Sequence, residues 1–149
     1  MFKIQRRCSY RHQKPEDDVI CSILKSFNHI AVVGLSDDPW QDSNYAAAYF
    51  MQQGYIVRPV NPEVPEVFGM CSYPDLLATP GPIETVQIFR RNGEVPKIVE
   101  QAMKVGAKAV WIEEGLDEDA SVERARKAGL RVVTHRCMMV EHDLHLGHA

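Results

Sequence analysis

Three groups of residues have the types and spacing to do chemistry. The first is Gly34-Leu35-Ser36, which follows the apolar run His29–Val33 and precedes Ser43-Asn44. A glycine directly after a buried strand lets the backbone approach a phosphate, and hydroxyl, amide and helix-end N–H groups can donate to it. The second is Phe89-Arg90-Arg91, at the end of another apolar run. A ring and a guanidinium there suit a groove for an anionic ligand, with Arg90 the stronger candidate; the plainer reading is a core aromatic and two solvated charges. The third is the C-terminal set His135, Cys137, Glu141, His142, His145 and His148. These are metal-ligand types, but the last three histidines fall at i, i+3, i+6 and drift around a helix. No HExxH occurs and no second cysteine lies close by, so no metal site is assigned. His135 and Cys137 are not assigned as a base and nucleophile, because adjacency in sequence is not geometry. Glu113-Glu114, after a further strand, reads as a loop edge or helix cap before it reads as a general base. Trp111 in that strand packs a core or stacks on a ligand, the core being favoured. No catalytic residue is assigned.

Which ligand suits the first group depends on what it lacks. A dinucleotide fingerprint G-x-G-x-x-G has its second glycine against a pyrophosphate and an acid at the end of the next strand on the ribose 2′-hydroxyl. Here the run is Gly34-Leu35-Ser36-Asp37-Asp38-Pro39, with one glycine, and the next strand ends Val60-Asn61-Pro62, with no acid. Both features disfavour NAD, NADP and FAD. A carboxylate at that point would repel a phosphorylated ribose, whereas Asn61 can hydrogen-bond to adenosine without repulsion. An Asn-Pro pair is also an ordinary turn after a strand.

The elements that must position these residues alternate. Pro15 and the acids Glu16, Asp17 and Asp18 suit a first helical turn, with Val19, Ile20, Ile23, Leu24 and Phe27 along one face. A strand over "HIAVVG" leads through a loop to a helix that Ser43 or Asn44 would cap and Gly54 would end. "YIVRPV" is a second strand, followed by a connector with one helical turn at Pro74–Ala78. "ETVQIF", the helix "NGEVPKIVEQAMKVGA", "KAVWIE", the solvated helix "DEDASVERARKAG" and "RVVTH" complete the alternation. In that solvated helix, acids come early and bases late, which complements the helix dipole and is no binding motif. The pattern predicts one α/β domain: a Rossmann-like open parallel sheet of about five strands with helices on both faces. Ligands of such sheets bind beyond the carboxyl ends of the strands. The expected organisation is a flexible arm over 1–15, the domain over 16–143 and a flexible end over 144–149.

The composition agrees with a globular domain. The chain has 149 residues, 45% hydrophobic and 25% charged, with a formal net charge of -3. That charge disfavours a nucleic-acid partner held by general positive potential. No apolar run nears the roughly 20 residues of a membrane helix, and no signal-peptide core is evident. A cytoplasmic location is expected, and with it four free thiols at Cys8, Cys21, Cys71 and Cys137.

Taken together, "IAVVGLS" (30–36), "GYIVRPVNP" (54–62), "VFG" (67–69), "VQIFRRNGEVPKIVEQA" (86–102), "GAKAVWIEEG" (106–115), "AGLRVV" (128–133) and "RCMMVEH" (136–142) resemble the small CoA-binding proteins with a Rossmann-like fold. That fold is shared with the CoA-binding domain of the succinyl-CoA synthetase alpha subunit. The resemblance implies a site for coenzyme A or an acyl-CoA. Gly34, Leu35 and Ser36 would line the pyrophosphate region, with Ser43 and Asn44 donating to phosphate. Asn61 and Pro62 would border the adenosine, Ile88, Phe89 and Arg90 would flank the pantetheine or adenine edge, and Trp111, Ile112 and Glu113 would close the far side. Two departures stand out. Gln41 and Asp42 lie where relatives often have an arginine, and Glu63-Val64-Pro65-Glu66 where they often have a base. Losing two phosphate contacts of ~1 kcal/mol each predicts binding weaker on the order of tenfold to a hundredfold. The chain is too short for the further domain that carries the synthetases' phosphorylated histidine, so ligase activity is not expected. The expected role is non-catalytic: sensing, carrying or presenting CoA to a protein partner or within a homo-oligomer. The alternatives are a small acyl- or CoA-transferring enzyme working with a partner chain, and a binder of another adenine nucleotide.

Overall fold

The computed structural model describes residues 15–113 and 120–147. The sheet forms where apolar runs are continuous. β1 (His29–Val33), β5 (Thr85–Ile88) and β6 (Ala109–Ile112) are buried on both faces, as expected of central parallel strands. β2 (Ile56–Val60) is an edge strand, which is why it tolerates Pro59 without losing a ladder bond. β7 (Arg131–Val133) is the opposite edge. All pairs are parallel and the order is β2-β1-β5-β6-β7. The expected five-stranded Rossmann-like sheet is present.

Alternation along the strands divides the core into two layers. Ala31, Val33, Val86, Ile88, Val110 and Ile112 face α3 (Val95–Lys104) and α4 (Ala120–Lys127). Ile30, Val32, Val57, Ala109 and Trp111 face α1 (Pro15–Ser26), α2 (Asp42–Gln52) and α5 (Met138–Leu146). β1 runs through α2 to β2 on one side, while β5 runs through α3, on the opposite face, to β6 on the other. The order therefore reverses between β1 and β5, and their carboxyl ends open a crevice there.

Local differences from the sequence reading have physical causes. The connector after β2 contains a small hairpin, β3 (Glu66–Val67) and β4 (Met70–Cys71). Its two-residue turn has Phe68 at φ 54° and Gly69 at φ 74°, the double positive φ of a type I′ turn. α3 starts at Val95, after a 3-10 turn over Asn92–Glu94, with Pro96 in its first turn. α5 continues beyond the expected boundary at 143 because His145 and Leu146 are buried. Of the arm expected over 1–15, residues 1–14 lie outside the described residues and Pro15 opens α1; Glu114, the start of the solvated helix and His148 also lie outside them. Cys71 and Cys137 stand outside any disulfide, whereas Cys21, expected as a thiol, is disulfide-bonded, and Cys8 lies outside the described residues. Among the described residues, no helix is long and apolar enough to cross a membrane.

Candidate functional site

The loop after β1 is fastened from three directions. The Gly34 N–H donates to the Val60 carbonyl at 2.7 Å, tying the loop to the end of β2. The Ser36 N–H donates to Ser43 Oγ at 3.0 Å, and Asn44 Nδ2 donates to the Ser36 carbonyl at 2.9 Å, tying it to the first turn of α2. Asn61 Nδ2 donates to the Leu35 carbonyl at 3.0 Å, while Asn61 Oδ1 accepts from the Glu63 N–H at 2.9 Å. Asn61 is thus committed to backbone at both ends of its amide and shapes two turns at once. Ser43 and Asn44 are likewise buried and used within the loop. Gln41, the residue before α2, supplies no side-chain cap. The first-turn N–H groups of α2 thus receive no acceptor from the Gln41 side chain.

Gly34 is required by its geometry. Its φ is +89°, and a Cβ there would lie 2.8 Å from Arg90 Cδ and 2.9 Å from the Phe89 carbonyl oxygen. The loop after β5 thus passes directly over Gly34, held by the Phe89 N–H donating to the Val33 carbonyl at 2.9 Å.

Two cavities flank this crossing. One, of about 520 Å³, lies at the start of α2 and is lined by Gly34, Ser36, Ser43, Asn61, Phe89 and Arg90, together with the acids Asp37, Asp38, Asp42 and Glu63. The other, of about 400 Å³, lies at the start of α3 and includes Gly34, Pro62, Arg90, Leu76, Lys97 and Gln101. Glu94, before α3, also caps nothing with its side chain. The guanidinium of Arg90 instead holds Glu94 on two bonds, Nε to Oε2 at 3.2 Å and NH2 to Oε1 at 2.9 Å. That hydrogen bonding holds the Glu94 carboxyl below the usual carboxylate range.

The structure brings together seven of the residues expected at the site: Gly34, Ser36, Ser43, Asn61, Pro62, Phe89 and Arg90. Leu35 and Asn44 support the loop from beneath. Ile88, Trp111 and Ile112 are fully buried and line neither cavity. Trp111 Nε1 donates to the Arg136 carbonyl at 2.9 Å, so its polar edge is used to anchor the chain before α5. Glu113 is buried too. Its Oε1 accepts from Gln87 Nε2 at 2.6 Å and its Oε2 from the Met138 N–H at 3.1 Å, a carboxylate on the positive end of α5. Sequence reasoning passed over Lys97 and Gln101. They sit on α3 at positions that a helical pattern reads as solvent-facing, and only the fold over of the Asp75–Leu76 turn, held by Gln101 Oε1 at 3.3 Å from the Leu76 N–H, makes them walls.

Among the described C-terminal histidines, His142 and His145 meet different partners. His142 Nδ1 meets Tyr49 Oη at 2.8 Å, while His145 Nε2 lies 3.3 Å from Glu141 Oε2. Arg136 bonds the other oxygen of Glu141 at 3.1 Å and approaches Asp17 at 3.9 Å. His135, Arg136 and Cys137 border a third, separate cavity of about 800 Å³ at the β7 edge.

A crevice at the strand reversal, between two helix starts and under a glycine crossing, is the candidate site of a Rossmann-like α/β domain. Comparison with known proteins narrows that class. The CoA binding domain family matches residues 28–143, and the chain belongs to that family. Uncharacterized protein YneT of Bacillus subtilis is 32% identical over 130 residues, 87% of this chain and 96% of that one. A solved structure of a hypothetical protein from Pyrococcus horikoshii is 39% identical, with a TM-score of 0.83 over 89% of this chain and 96% of that one. A dinucleotide-forming acetyl-coenzyme A synthetase from Ca. Korarchaeum cryptofilum, solved with phosphate and ADP, is 26% identical, with a TM-score of 0.65 over 75% of this chain and 26% of that one.

Proposed function

We propose that this protein binds coenzyme A or an acyl-CoA across the carboxyl ends of β1, β2 and β5, without catalysing a reaction on it. The observation that carries this reading is the crossing of Arg90 over Gly34, with a cavity and a helix start on each side, in a chain of the CoA binding domain family. A Cβ at Gly34 would collide with Arg90 Cδ and the Phe89 carbonyl, so the glycine is what lets the loop after β5 lie across the loop after β1 between the two cavities. In this reading the Ser36 loop and the first turn of α2 receive phosphate, and the cavity by Leu76, Lys97 and Gln101 receives another part of the same molecule. Asn61 acts by holding the Leu35 carbonyl and not by touching the ligand. The non-catalytic role is supported by Glu113, whose two oxygens are both engaged inside the fold and away from both cavities. In this reading the bound thioester is presented to a partner chain.

A thermal-shift series with CoA, dephospho-CoA, NAD and ATP tests the reading. At a hundredfold excess over Kd a ligand adds about 2.7 kcal/mol, which in a domain of this size raises Tm on the order of 5–10 °C. CoA is expected to give the largest rise. A larger rise with ATP or NAD, or none with CoA at millimolar concentration, would overturn it.

A further inference from the structure

Among the described residues, Arg90 is the one Lys or Arg lining the cavity at the start of α2, and with Gly34 it lines both cavities of the crossing. The rest of the charge around the cavity at the start of α2 is acidic: Asp37, Asp38, Asp42 and Glu63. An anionic ligand seated there therefore depends on one guanidinium and on backbone N–H groups. That guanidinium is already bonded twice, to a carboxylate on the next turn. Neither partner is sealed from water, the side chains being 23% and 44% exposed, so the pair can open without stranding a buried charge. Its aliphatic stem lies against Gly34, where any side chain would collide with it. The same side chain is thus a wall between two cavities and the main cation available to a phosphate.

We propose that Glu94 competes with the ligand for Arg90 and so sets its affinity for phosphate: it latches Arg90 across Gly34 as a partition between the cavities, and a ligand bearing phosphate opens the latch by taking the guanidinium over. The inference rests on the CoA reading above and names what limits the hold on the ligand's phosphates. A neutral fragment such as pantetheine offers Arg90 nothing in exchange for Glu94 and leaves the wall in place. A diphosphate exchanges one charge-assisted pair for another and removes the wall in the same step. Glu94 then competes with the ligand, so its charge lowers affinity for anions while leaving neutral fragments unaffected.

The test is calorimetric titration of CoA, pantetheine and inorganic pyrophosphate into the wild type, Glu94→Gln, Arg90→Gln and the double variant. Glu94→Gln is expected to tighten CoA and pyrophosphate about three- to tenfold, the scale of one partly exposed ion pair, and to leave pantetheine unchanged. In the Arg90→Gln background the same substitution is expected to have no effect on CoA. Carbon-detected NMR supplies a second readout: the Glu94 carboxyl titrates low in the free protein and returns toward its ordinary range when pyrophosphate or CoA is bound. Equal CoA affinity in wild type and Glu94→Gln, or weaker binding in the variant, overturns the latch and leaves the CoA reading standing. No heat with CoA in any variant overturns both.

Discussion

Gly34→Ala is expected to weaken ligand binding strongly while leaving a folded, less stable domain. The loss of stability is about 1–3 kcal/mol, the usual cost of holding a side-chain-bearing residue in a left-handed backbone region. The steric part falls on function. The new Cβ meets Arg90 Cδ and the Phe89 carbonyl at under 3 Å, so the loop after β5 must lift from the loop after β1. Both cavities share that contact, and CoA affinity is expected to fall at least on the order of tenfold. Urea denaturation and calorimetry on the same preparation separate the two effects. An alanine variant that binds CoA as tightly as the wild type would show that the crossing is not the site.

Glu113→Ala produces the opposite division. The substitution leaves Gln87 Nε2, in the fully buried centre of β5, and the Met138 N–H at the start of α5 without their acceptor. Each buried donor left unmatched costs about 1–3 kcal/mol, so a loss of roughly 2–4 kcal/mol is expected in denaturant midpoints. CoA affinity of the folded fraction stays within about twofold, because Glu113 lines neither cavity. A folded Glu113→Ala protein that loses CoA binding would return this carboxylate to the site.

These two residues also mark where the sequence was informative and where it was not. Apolar runs such as "HIAVV" and "AVWI" show a buried strand directly, since no other short element hides both faces. The glycine and the Ser-Asn pair of the first loop were readable because turn chemistry is local: Gly34 and Ser43 line the crevice, and Asn44 holds the loop from beneath. The family resemblance implies Trp111, Ile112 and Ile88 at the ligand, although Trp111 alone reads first as core; a strand residue buried against protein has the same sequence signature as one buried against a ligand. Nothing local separates the two. Glu113 fails for a related reason: its partners stand 26 residues before it and 25 after it, a distance that spacing rules do not reach. Asn61 was found correctly as a residue of the turn, yet its amide serves Leu35 and Glu63. The hairpin turn at Phe68-Gly69 was missed because a phenylalanine at positive φ is rare, and its sequence lacks the usual Asn-Gly signal. Lys97 and Gln101 became cavity walls only through packing of a distant turn on α3.

The central claim is that the ligand lies at the strand reversal between β1 and β5. A titration of the isotope-labelled protein with CoA, followed by backbone amide NMR, addresses it directly. The expected result is a continuous set of shifted amides at Gly34, Leu35, Ser36, Ser43, Asn44, Phe89 and Arg90, saturating with one ligand per chain. Shifts centred instead on Thr134, His135 and Arg136 at the β7 cavity, or no shifts at millimolar CoA, would contradict it.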